Sequence, residues 1–252
     1  MTLITRRGII MTGALGAGGA MLSGCDKLFA VPSFKQTLQG AEGLHLASQR
    51  LLTGGALAPE FTAQQMSPNF RTNGNTTAQD QTWLAQSKNQ FADYALKIDG
   101  LVRRPLSLPL SALKTMPQRR QITRHDCVEG WSAIGMWQGP QLGTLLRNAG
   151  VLPQARYLVF HCADNFGANP YYESIDLTDA FHPQTILAWQ MNGQPLTIGH
   201  GAPLRLRVER QLGYKQAKYI MRIEARANLA GLYGGKGGYW EDNAGYQWYA
   251  GI

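Results

Sequence analysis

The segment APLRLRVERQLGYKQAKYIMRIEAR, residues 202–226, limits the fold more than any other. Leu204, Leu206 and Val208 alternate with Arg205, Arg207 and Glu209, and Tyr219, Met221 and Ile223 alternate with Ile220, Arg222 and Glu224. A period of two is the signature of strands, whose successive side chains leave opposite faces. One face is apolar and the other heavily basic, with Arg205, Arg207, Arg210, Lys215, Lys218, Arg222 and Arg226 against Glu209 and Glu224. A solvated strand face and an anion site gathered round the glycine turn QLGYKQAK both fit that pattern.

The rest of the chain reads as strands punctuated by short helices. RQITRHDCV, ARYLVFHCA and YYESIDL are strand-like, GPQLGTLLRNAGV is a short amphipathic helix closed by Gly150, and Asn192-Gly193 marks a hairpin in TILAWQMNGQPL. DQTWLAQSKNQFADY is helical and leads into ALKIDGLVRRPLSLPL, read as strand, turn and strand, while DAFHPQ reads as a turn. A charged fraction of 16% with 29 Gly and 12 Pro favours a loop-rich α+β chain over a helical bundle. The tail GLYGGKGGYWEDNAGYQWYAGI carries enough aromatic surface to predict that it packs back over the domain.

The N-terminus must be set aside first. In TRRGIIMTGALGAGGAMLSGC, paired Arg6 and Arg7 precede an uncharged Gly/Ala-rich run that ends in LSGC at Cys25. This is the pattern of an export signal of the twin-arginine type, which carries folded proteins, joined to a lipoprotein cleavage site. The expected organisation is a signal peptide over 1–24, an N-terminal extension over 25–75 and the main domain over 76–252. Removing 1–24 takes away two arginines and no acids, lowering the net charge from +8 to +6. The expected location is the periplasm, with a lipid anchor on Cys25 at the inner membrane. Cations set beside glycine turns, away from any stacked-aromatic groove, argue against a nucleic-acid partner.

With Cys25 assigned to lipid, Cys127 and Cys162 remain. Cys127 sits in QITRHDCVEGWSAIGMW and admits three readings. His125, two residues away on the same strand face, would make it a nucleophile, although Asp126 points the other way. A bridge to Cys162 would make it structural. Ligation of a soft transition metal held by a cofactor would make it a redox centre. Export in the folded state favours the third, because it serves proteins that receive a cofactor before transport. His45, His161 and His182 read as structural.

Three elements, HDCVEGWSAIGMWQGPQLGTLL, RYLVFHC and HGAPLRLRVERQLGYKQAKYIMRIE, together resemble the sulfite oxidase family of molybdenum-cofactor enzymes. Within it the similarity is to the bacterial periplasmic group that includes the catalytic subunit of protein-methionine-sulfoxide reductase. The resemblance runs from Asn69 to Arg226. It implies a sulfite-oxidase-type molybdopterin-binding fold of mixed β-sheets with short helices, and a Mo-molybdopterin cofactor. By it Cys127 is the molybdenum ligand and, with Glu129, a catalytic residue, while Trp131 lies in the same element. Asn69, Cys162, His200, Arg205, Gln216, Ala217 and Lys218 fall on cofactor-contacting positions, Arg205 on the one for the cofactor phosphate. Cys162 and His200 stand where the reductases carry threonine and asparagine.

The activity so implied is oxygen-atom transfer on a small S- or N-oxide. Electrons would be exchanged with a separate haem-containing or quinol-linked partner, since the chain has no Cys-x-x-Cys-His and no iron–sulfur cysteine cluster. Sulfite dehydrogenase-like oxidation is the alternative within the family. A non-redox anion-binding lipoprotein with a Cys127–Cys162 disulfide is the alternative outside it.

Overall fold

A computed structural model describes residues 31–252 of the chain. The expected signal segment and Cys25 lie outside the described residues. The chain divides into two compact units, Met1–Gly54 and Gly55–Ile252. What is described of the first is a helix, α1 (Pro32–Thr53), which starts on a proline, a residue suited to the first turn where its missing N–H costs nothing. His45 lies on it within hydrogen-bond reach of Gln49.

The second unit starts upstream of the boundary expected at 75/76. Residues 58–67 are bound into it by backbone hydrogen bonds: the Phe61 N–H donates to Ile122 O and the Ser67 N–H to Ile134 O. The sequence places this stretch in the peripheral extension, yet it lies along a sheet, with Glu60 bridged to Thr123.

In chain order the strands are β1 (Ala95–Gly100), β2 (Leu106–Pro109), β3 (Gln118–Asp126), β4 (Ser132–Pro140), β5 (Tyr157–Phe166), β6 (Asn169–Asp176), β7 (Ile186–Ala188), β8 (Gln190–Met191), β9 (Gln194–Pro195), β10 (Arg205–Arg207) and β11 (Ile220–Arg226). The later helices are α2 (Gln81–Lys88), α3 (Leu110–Thr115), α4 (Leu142–Ala149), α5 (Leu177–Ala180) and α6 (Tyr239–Ala244). A five-stranded sheet has the order β2-β1-β11-β5-β6, a four-stranded sheet β3-β4-β8-β9, and β10 pairs with β7. β1 and β11 are parallel; the other pairs are antiparallel. Leu96, Ile98, Leu158, Phe160, Ile220 and Ile223 are fully buried in the first sheet. Asn192 and Gly193, with φ of 51° and 80°, make the expected hairpin turn between β8 and β9, a geometry that needs positive φ at both central residues. The stretch read as a turn at DAFHPQ starts instead inside α5, which Asp176 caps by accepting from the Asp179 N–H.

Residues 202–226 depart from the expected strand pair. β10 and β11 belong to different sheets. Five of the seven basic positions are not solvated: Arg205, Arg207 and Lys215 are fully buried, and Arg210 and Lys218 nearly so, while Arg222 and Arg226 on β11 stay partly exposed. Alternation was preserved, but both faces of β10 are covered, so the charged face points into the protein.

The tail packs back as expected. Gln211 bridges to Gly251, the Leu212 N–H donates to Ala250 O at 2.9 Å, and α6 sends Glu241 inward to 1% exposure. Lys215 Nζ lies 2.5 Å from both Glu173 Oε2 on β6 and Glu241 Oε1 on the tail. Removing the cation would strand two buried carboxylates. Lys215→Met is therefore expected to cost about 3–5 kcal/mol in urea unfolding; a cost below about 1 kcal/mol, the range of surface pairs, would contradict this role.

Candidate active site

β3 ends at Asp126 and Cys127 opens a turn. The Gly130 N–H donates to Cys127 O at 3.0 Å and the Cys127 N–H to Trp131 O at 2.9 Å. Trp131 Nε1 donates to Glu129 Oε2 at 2.9 Å, which stiffens the turn from outside, and Arg71 lies over the Trp131 ring. The Cys127 thiol is nearly buried, and burial raises its pKa.

The nucleophile reading does not fit this environment. Nδ1 of fully buried His125 lies 3.0 Å from Arg207 Nη1, and burial, then Arg207 and Arg205, push its pKa well down. A neutral imidazole does not hold a thiolate. Asp126 faces away, accepting from Ser132 and Arg124. The disulfide is absent too: Cys127 and Cys162 are both free, and Cys162 pairs with Ile220 within the five-stranded sheet.

Cys127, Val128 and Glu129 line a cleft. Its polar wall consists of Asn73, Asn75, Asp164, Gln216 and Lys218, and Gly74 and Gly213 bring backbone to its edge. Phe166, Tyr171, Tyr214, Trp240 and Tyr246 form an aromatic wall. Gly213 is required by close approach, because a Cβ there would lie 2.4 Å from His125 Nε2. Among the described residues no cluster of three or more His, Cys, Asp or Glu side chains is placed to hold a metal ion. Cys127 is the soft donor of the cleft.

Behind the lining lies a buried cationic layer. Arg207 is held by Glu209, with Nε to Oε1 at 2.9 Å and Nη2 to Oε2 at 2.5 Å, and lies 4.3 Å over the Trp137 ring. Arg205 shares that ring at 4.9 Å but donates only Nη1, to His200 O at 3.1 Å; its Nε and Nη2 have no partner. His125 and Gln216 face each other through their side chains, beside the close approach of Gly213. Unmet buried polar atoms cost roughly 1–3 kcal/mol each, more when charged, so such a group marks the place of an anionic, hydrogen-bonding ligand. These residues fit a pterin cofactor with a phosphate.

Several sequence-derived positions serve this layer indirectly. Lys218 Nζ donates to the carbonyls of Asn73, Asn75 and Gly199, spending all three protons on fastening the loop at 73–75 to the turn at Gly199. Burial, then Arg205, lowers its pKa to about 7. Ala217 O accepts from the Leu206 N–H, and His200 is satisfied by Thr197 and Phe70 O. Asn69 is exposed and lines nothing; Asn73 and Asn75 hold the cleft edge instead, within a stretch whose turn-forming residues signalled only a loop. Cys162 is half-buried behind the lining. Sequence reasoning missed Asp164, Phe166 and Tyr171, which lie outside the three elements that carry the resemblance, and Tyr214, which lies inside one but was not singled out.

A thiol-bearing cleft backed by uncompensated buried cations, between mixed sheets, defines an oxidoreductase domain built round an anionic organic cofactor. The profile of the oxidoreductase molybdopterin binding domain family matches residues 83–231, and the chain belongs to that family, with molybdopterin as its cofactor. It is 43% identical over 160 residues to a provisionally named protein-methionine-sulfoxide reductase subunit, YedZ1, of Azospira oryzae, covering 64% of this chain and 56% of that protein. It is 37% identical to the protein-methionine-sulfoxide reductase catalytic subunit MsrP of Gluconobacter oxydans over 52% of this chain and 46% of that one. With MsrP of Ralstonia nicotianae it shares 30% identity over 86% of this chain and 67% of that one. The chain thus spans about half the length of the first two relatives. The sulfane dehydrogenase SoxCD of Paracoccus pantotrophus shares the fold, with a TM-score of 0.51 at 22% identity over 69% of this chain and 46% of that one.

Asp164 gives the site a measurable pH dependence. Its Oδ2 accepts from Asn75 Nδ2 and its Oδ1 is unpaired. Burial raises its pKa from 3.8 to about 6, opposed by Asn75 and Lys218. The folded chain thus keeps a proton that the unfolded chain releases, so this contribution is complete below 3.8 and is lost as pH rises through about 6. Between about pH 4 and pH 7 the cofactor-free wild type should lose on the order of 2–3 kcal/mol more stability than Asp164→Asn, read from urea midpoints. Parallel profiles would contradict the raised carboxyl.

Proposed function

We propose that this chain is an exported molybdopterin-dependent reductase that removes the oxygen atom from an S-oxide. The observation that carries the reading is the joint presence of the Cys127 thiol in the cleft and the unpaired guanidinium of Arg205 behind it. The names of the relatives support the S-oxide as substrate class. In this reading Cys127 Sγ ligates molybdenum, and the bound cofactor supplies two-electron oxygen-atom transfer.

The chain's own residues do the rest. Arg205 offers its unfilled hydrogen-bonding capacity to the cofactor, Gln216 lines the cleft with His125 behind it, and Ala217 and Lys218 hold the backbone that surrounds it. His200 serves through its carbonyl, which orients Arg205. Glu129 and Trp131 brace the turn that carries Cys127. Asn69 and Cys162 act, if at all, from outside the lining. Reducing an S-oxide to a sulfide and water consumes two electrons and two protons. Asp164 is able to hold one such proton at its unpaired Oδ1 close to neutral pH.

The electrons come from a separate haem-containing or quinol-linked partner. Residues 1–24 act as a twin-arginine signal, Cys25 carries a lipid, and the protein works in the periplasm. Among the described residues no helix is long and apolar enough to cross a membrane.

The test is metal analysis with a dye assay. Purified protein should contain about one molybdenum and one pterin per chain and reduce dimethyl sulfoxide with reduced viologen. Cys127→Ala should abolish that activity, by about a thousandfold or more, with the fold kept. Retained activity would remove the ligand assignment, and a metal-free wild type with no reductase activity would sink the reading.

A further inference from the structure

Residues 232–252 lie beyond the part of the chain that the family profile matches, yet they supply two residues of the cleft, Trp240 and Tyr246. These two stack at 5.7 Å with planes 23° apart. Trp240 meets Phe166 edge-on at 5.0 Å, and Tyr246 meets Tyr214 at 5.0 Å. The result is a continuous run of four aromatic rings, Phe166, Trp240, Tyr246 and Tyr214, all of which line the cleft.

The wall is fixed before anything binds. Between its two aromatics, Glu241 is buried on Lys215, and Asp242 accepts from Tyr172 and from the N–H groups of Gly234 and Lys236. The Tyr214 hydroxyl donates to Gln247 O at 2.7 Å. Trp240 and Tyr246 are themselves only partly buried, so each keeps ring surface towards the cleft. A rigid, half-covered aromatic surface binds apolar groups at little ordering cost.

An S-oxide has one polar S–O group and two hydrocarbon substituents. The run of rings offers the hydrocarbon substituents a surface, and aromatic rings favour both hydrocarbon and polarisable sulfur. We infer that Trp240 and Tyr246 are the specificity-determining residues of this site, selecting S-oxides with a flat or bulky apolar substituent by contact with the tail's aromatic wall. This rests on the S-oxide reading above.

The test compares dimethyl sulfoxide with methyl phenyl sulfoxide as substrates of the loaded enzyme and uses calorimetry to follow methyl phenyl sulfone, an analogue without a transferable S-oxide oxygen. Trp240→Ala should raise KM for methyl phenyl sulfoxide and the sulfone Kd by about five- to tenfold. KM for dimethyl sulfoxide and both kcat values should stay within about twofold, and Trp240→Phe should restore most of the loss. If Trp240→Ala loses molybdenum, Tyr246→Ala takes its place in the same comparison. Equal changes for both substrates, or unchanged sulfone affinity, would overturn the inference. A wild type that reduces neither sulfoxide would sink the S-oxide reading, while sulfone binding to wild type and variant would still decide whether the wall binds apolar groups.

Discussion

Two guanidinium groups buried against one indole set the terms for the site. Arg207 and Arg205 leave the same face of β10, and both lie over Trp137. Burying a cation costs several kcal/mol unless it is paired. For Arg207 the cost is met by a two-point contact with Glu209, itself held by Gln121 Nε2 at 2.8 Å, and by His125, whose pKa burial and then Arg207 push well down. No carboxylate meets Arg205. Its counter-charge has to come from a ligand, and the anionic cofactor of the family is a ligand of that kind.

The same constraint explains the construction around the cleft. A floor that holds unmatched positive charge needs walls fixed by something other than that charge. Lys218 spends its protons on three backbone carbonyls, so it closes a loop edge without competing for the anion. Lys215 is balanced by Glu173 and Glu241, which ties the tail to β6 through a contact that excludes water. Burial and the nearby Glu241 push the Glu173 pKa well up even against Lys215, which fits two carboxyls beside one cation. The Cys127 turn, the polar loop at 73–75 and the aromatic tail thus meet at one cleft through independent anchors.

Much of this was legible in the sequence. Periodicity located β5, β6 and α4, and Asn192-Gly193 located its hairpin, because each depends on neighbours in the chain. The alternation at Leu204 to Glu209 located β10 but left its surroundings open. Period two says which residues share a face and nothing about what covers that face: of the two readings it allows, the solvated face fails at fully buried Arg205 and Arg207, and the anion site is the one that Arg205 fits. Cys127 stood out through its motif. Asp164 and Tyr171 did not, since they reach the cleft through the pairing of β5 with β6, and Tyr214 sits in the turn at 213–215 beside the residues that were singled out. Asn69 looked favourable beside a family motif, but it is Asn73 and Asn75 that face the cleft. The tail's aromatics predicted packing correctly, though not that two of them would line the site.

The most direct measurement is the urea stability of Arg205→Met beside wild type, each with and without cofactor. If the unpaired guanidinium waits for an anion, the cofactor-free variant should be at least as stable as cofactor-free wild type, because an uncompensated buried charge has gone. Cofactor should then stabilise wild type strongly and the variant little or not at all. A cofactor-free variant clearly less stable than wild type, together with unchanged stabilisation by cofactor, would show that Arg205 is a structural cation and would contradict the account.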